Sequence, residues 1–292
     1  ARSLIIAVCM QTFYSPMMAA ARPFADCPPH AGWYRWLSTS RHFGRDLRLR
    51  PRTIAGMKKN SVRAAHSEGG YLPEVDPVDC QAACDYLFSI TLLGDNAGEV
   101  DEREKPPGHL QALTDVVPLI ESLLAGDEGL VPASVLAHLG FMALYPSIPE
   151  AIAVQIAFGR KAGERNLIAI TRLIARADQC GLSVDDYVAQ AVAEGTLHFD
   201  SATRLLRGEV RRPPDASRLA KGIALISRGV ALMPPQLRPA LLCVLGWLHW
   251  ASGRHRPALT YLTDASVLEP QHILAYGLHM HFLMRPRPAW LA

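Results

Sequence analysis

The chain of 292 residues lacks the short motifs that carry familiar chemistry: there is no G-x-S-x-G elbow, P-loop, dinucleotide fingerprint or H-E-x-x-H helix. Enzymes that depend on those motifs are excluded. An enzyme stays open only if the N-terminal portion builds a pocket that no motif announces. Net charge is also scarce, +3 beside an apolar content of 49%. Global disorder is thereby excluded, because it requires few apolar residues and strong self-repulsion. Lysine is rare, five against 25 arginines, a bias that belongs to GC-rich coding more than to protein chemistry. The six cysteines (Cys9, Cys27, Cys80, Cys84, Cys180 and Cys243) are scattered, with no disulfide framework in their spacing. A chain this long buries about 75% of its unfolded surface without staples. Reduced thiols and a cytoplasmic setting are the expectation.

An uninterrupted membrane-length apolar run is missing too. Residues 3–21 lack charge, but Gln11, Thr12 and Ser15-Pro16 break the run after about seven apolar residues, too short for a strong secretory segment. A buried strand over 3–10 is expected instead. Residues 129–149 are uncharged but hold Pro132, Pro146, Pro149 and His138. A bilayer span needs about 20 predominantly apolar residues. The prolines bracket a core helix of ordinary length, and no membrane association is expected.

The charge that is present is polarised. Residues 1–67 carry +9, residues 68–105 carry −8, and residues 106–292 carry +2. Within the first stretch, residues 41–63 pack eight basic side chains around one acid. Such a segment suits a phosphate backbone through counterion release, with Arg48, Arg50, Arg52, Lys58 and Lys59 as the contacts. It equally suits the acidic run 99–104 of the same chain.

The expected fold is mainly α, with a smaller irregular α/β portion over 1–105 and a helical domain over 106–292. Strands are read at 3–10 and 85–93 (DYLFSITLL), and an exposed linker at 94–108, where turn residues, charge and Pro-Pro coincide. Helices follow at 110–125, closed by Gly126, and at 133–145. Ser147-Ile-Pro-Glu150 and Ser183-Val-Asp-Asp186 have the spacing of capping boxes. Residues 164–178 make another helix, nearly encircled by Leu167, Ile168, Ile170, Leu173 and Ile174, so deep packing is expected.

The best motif lies at 239–270, where Leu242, Leu245, Gly246, Gly253, Ala258, Leu262, Ala265 and Pro270 fall on the spacing of a tetratricopeptide hairpin. Small residues at 246, 258 and 265 let two helices approach closely, Gly253 ends the first and Pro270 closes the second. Moving back 34 residues reaches Ala224 and Ala231, so 216–233 reads as a preceding second helix, and 271–284 as a terminal cap. The hairpins therefore cover about 216–284. Segment 245–262 (LGWLHWASGRHRPALTYL), Leu268-Glu-Pro270 and the ending Pro288-Ala-Trp290 resemble an actinobacterial family catalogued as domain of unknown function four-one-nine-two, over about 110–292, with 3–7 similar to its early strand. The resemblance implies a cytoplasmic protein with a C-terminal helical hairpin and no assigned activity.

The function expected is non-catalytic: a peptide or protein groove on the C-terminal helices, with Trp247 and Trp250 as aromatic anchors and Arg254 and Arg256 holding a carboxylate. The bland reading of the tryptophans is core, and that of the arginines is capping of helix carbonyls. A nucleic-acid accessory role through 41–63 is the alternative. No cofactor or metal is expected. His249, His255, His272, His279 and His281 enrich the C-terminus without converging ligand spacing, and Cys80-x₃-Cys84 is not a zinc-knuckle spacing. Asp185, Asp186, His198 and Asp200 read as helix-start and loop residues.

Overall fold

The computed structural model describes residues 72–95, 109–126, 131–196 and 201–292. The strand expected at 3–10, the basic segment 41–63 and most of the linker lie outside them. Among the described residues there are eleven α-helices and no strand. They are α1 (Pro77–Asp95), α2 (His109–Ala125), α3 (Ala133–Met142), α4 (Ile148–Phe158), α5 (Arg160–Gln179), α6 (Val184–Ala193), α7 (Ser201–Leu206), α8 (Ala216–Leu232), α9 (Pro239–Ala251), α10 (His255–Leu268) and α11 (Ile273–Met284). No described helix is long and apolar enough to cross a membrane.

Two helices form the centre. Every residue of α4 and of α9 is buried, as expected for segments that are apolar on all sides. They pack on each other; α2, α5, α7 and α8 surround α4, and α8, α10 and α11 surround α9. Burying α4 completely strands its last carbonyls, which must find donors. Arg218 of α8 supplies two, donating from Nε to the Ile156 carbonyl at 3.2 Å and from a terminal nitrogen to that of Gln155 at 3.0 Å. The Asp215 N–H takes the Ala157 carbonyl at 2.8 Å. The same guanidinium grips Glu121 of α2 on both oxygens, at 2.7 and 3.0 Å. Burial raises the Glu121 carboxyl, but hydrogen bonds from Arg218 and Gln155 outweigh it and hold the acid below its ordinary range.

The hairpin of α9 and α10 is where the sequence places it. Gly253, at φ +81°, turns the chain after α9, a conformation that disfavours any side chain. A methyl added at Gly246 would sit 3.0 Å from Leu262 and 3.1 Å from the Ala258 carbonyl oxygen, so the helices are already in close contact. Ala258 and Ala265 are fully buried in that seam. Ala258→Leu is therefore expected to cost roughly 1–3 kcal/mol by overpacking; an unchanged urea midpoint would show that the seam has slack.

Several expectations are corrected. Residues 85–93 lie within α1 and form no strand: Ala83, Leu87 and Ile90 recur at helical spacing and are buried. The aromatic and β-branched run hid that period. α1 packs on α3 and shares the core of the remaining helices, although it was read with the N-terminal portion. Helix α5 is not deeply packed around its aliphatic residues. Its buried stripe is Ala162, Gly163, Asn166, Ile170 and Ala177, and Ile168 is 48% exposed. In α8 the buried small residues are Gly222 and Gly229, two positions before Ala224 and Ala231; Gly222 lies against Ile156. The capping box at Ser183 is half made: Ser183 Oγ accepts from the Asp186 N–H at 3.1 Å and donates to its carboxylate at 2.6 Å. The one at Ser147 is not made. Ser147 stands at φ 68° with no side-chain cap, and Glu150 points inward.

Candidate functional site

Two places could carry a function: a buried polar seam between α4, α9 and α11, and the outer face of α11.

In the seam, Glu150 is 5% exposed, and neither carboxyl oxygen finds a hydrogen-bond partner on another residue. Burial pushes its pKa from the usual 4.5 up to about 7. The cavity it faces offers about 10 Å³ to a water-sized sphere and is lined by Glu150, Cys243, Trp247, Leu206 and Leu274. That is room for roughly one water molecule, whereas ligand pockets run to about 300–1,000 Å³. Cys243 Sγ lies 3.7 Å from His272 Nδ1, which also accepts the Ala275 N–H at 3.2 Å. An accepting Nδ1 carries no proton, so the thiol is the donor in this contact. A nucleophilic pair needs a thiolate beside an imidazolium. Here both groups are driven the other way: burial, with Glu150 and Glu269 nearby, raises Cys243 well above its usual value, and burial lowers His272 to about 4. Burial therefore favours the neutral form of both groups, and the pair packs in the seam.

Two further imidazoles, His249 and His281, are buried. Burial, aided by Arg254, lowers His249 to about 4, and burial, aided by Arg207 and Arg285, does the same to His281.

The expected anchors Trp247 and Trp250 belong to this interior, at 1% and 0% exposure. Neither faces a groove. Their indole N–H groups serve helix ends, whose last carbonyls have no intrahelical partner. Trp247 donates to the carbonyl of Leu206, the last residue of α7, at 2.8 Å, and Trp250 to that of Arg285, just past α11, at 2.9 Å. Trp290, in the closing Pro-x-Trp, donates to Ala251, the last residue of α9, at 2.9 Å. Trp250 also stacks on Phe282 at 4.8 Å and meets the rings of His281 and Trp290 edge-on.

Arg254 and Arg256 are exposed at the hairpin turn. Arg254 Nε donates to Ser252 Oγ, whose hydroxyl donates to the His249 carbonyl, so Arg254 reaches the end of α9 through Ser252. Arg48, Arg50, Arg52, Lys58 and Lys59 lie outside the described residues, as do His198 and Asp200. Among the described residues no group of three or more His, Cys, Asp or Glu could hold a metal ion.

The second place is α11. Leu274, Ala275, Gly277, Leu278, His281 and Phe282 face inward, while Leu283 and Met284 are 52% and 63% exposed and Tyr276 is 50% exposed. Val267 and Leu268 at the end of α10 are exposed as well. Reading the sequence overlooked this face, although twelve residues without Asp, Glu, Lys or Arg signal it. Glu150 reads from the sequence as a capping acid, whereas the signal of its burial is a lone acid in an apolar run. No family model, curated protein or solved structure matches the chain.

Proposed function

We propose that the protein is a non-catalytic interaction module of the cytoplasm, in the manner of tetratricopeptide-like helical hairpins, and that the α10–α11 face receives a protein partner. The observation that carries this reading is the apolar outer side of α11. Exposed apolar surface gathered on one side of a helix marks an interaction site, and Tyr276, Leu283 and Met284 gather on one side of α11. The four described cysteines are free thiols, in keeping with a reducing compartment.

The test is site-specific photo-crosslinking with the full chain. A photoreactive residue at position 283, irradiated in an extract of the source cells, is expected to yield a discrete heavier product. The same group at exposed Gln236 should not. An identical product pattern from both positions would overturn the assignment of the face.

A further inference from the structure

The charges around α11 specify what fits against it. The helix itself is uncharged, and Tyr276, Met280 and Leu283 follow the i, i+4, i+7 spacing of a helix-pairing seam. Glu269 precedes the helix, and Arg287 follows it. Arg254 and Arg256 join Arg287 at the basic end, because His255 Nε2 lies 3.2 Å from the Phe282 carbonyl and so brings the start of α10 to the end of α11. The hairpin therefore presents an apolar seam with an acid at one end and bases at the other. A complementary partner needs an uncharged apolar helix of the same length flanked by the same charges in reverse order. The same face turned through a two-fold axis meets that description.

We propose that the partner is a second copy of this chain, paired antiparallel through α11 with the two-fold axis near Met280. Resting on the interaction reading above, the inference names the occupant of that face. The contact is isologous, so each favourable pair occurs twice. Glu269 of each copy lies toward Arg287 of the other, Leu283 and Met284 lie toward Tyr276 of the other, and the helix dipoles oppose.

Sedimentation equilibrium of the full chain from about 1 μM to about 1 mM spans the dissociation constants concerned. The expected result is a mass rising from 31.9 kDa toward twice that value. Leu283→Glu, or Met284→Lys should the first variant fold poorly, is expected to stay monomeric throughout with an unchanged circular dichroism spectrum. Glu269→Arg and Arg287→Glu should each weaken pairing about tenfold, and their combination should restore it. A dimer that survives Leu283→Glu, or a double variant that does not recover, overturns the inference. A monomer at every concentration overturns it too. If position 283 nevertheless crosslinks to a product of another mass, the interaction reading stands with a different partner; with no product, both fall.

Discussion

A Trp250→Ala variant is expected to lose about 3–5 kcal/mol of stability, from the emptied volume and the stranded helix-end carbonyl. The indole is fully buried, stacks on Phe282, and holds the Arg285 carbonyl after α11. A domain is typically stable by only about 5–15 kcal/mol, so adding Trp247→Ala is expected to leave the chain unfolded at room temperature. Neighbouring losses do not simply add, and the rings of Trp247 and Trp250 are 6.1 Å apart. Trp250→Phe separates the two contributions: it keeps most of the ring packing, loses the N–H, and should cost about 1–3 kcal/mol. Urea denaturation followed by circular dichroism reads all three. A folded double variant with an unchanged midpoint would contradict the placement of these rings.

The second large effect is on pH. The folded pKa of His249, His272 and His281 is depressed from 6.5 to about 4, so the stability of burying them neutral is present above pH 6.5 and is lost as pH falls toward 4. Glu150 has the opposite sign. Its folded pKa is raised from 4.5 to about 7, so its favourable contribution is present below pH 4.5 and disappears as pH rises through 7. Between about 4.5 and 6.5, these four groups together take up a net two protons on unfolding, three at the imidazoles against one released from Glu150. Stability should peak near pH 6.5, fall steeply on the acid side, and decline slightly to a plateau above pH 7. Glu150→Met removes the carboxyl and should stabilise the protein at pH 8 by about 3 kcal/mol, with a gain that shrinks toward pH 5. Urea midpoints across this range test both limbs. A gain that does not grow from pH 5 to pH 8 would mean that Glu150 is ionised in the fold without cost.

Glycine, alanine and proline made the α9–α10 hairpin legible, because each restricts where a helix can stop or approach a neighbour. Other features were concealed for identifiable reasons. All thirteen residues of α9 are buried, so periodicity could not say which way its tryptophans point. Ser147-Ile-Pro-Glu150 has the spacing of a capping box whether the acid turns back to the helix end or inward, and only packing decides that it turns inward. In α8 the 34-residue register reached the correct helix and missed its contact face, because Gly222 and Gly229 approach the core two positions earlier. The face of α11 was hidden by expecting a terminal helix to be a finished edge.

The clamp of Arg218 on Glu121 joins residues 97 positions apart, and Arg228 reaches Asp79 across 149. In a stack of repeats each unit touches only the next, so folding can begin anywhere and spread along the array. Here α8 is bonded back to the first two described helices and packs against α4 and α9. Growth from one end would leave those ionic contacts unmade until the chain had nearly closed. These closures run across the fold instead of between neighbouring hairpins, so the described helices are expected to unfold as one cooperative unit and not one hairpin at a time.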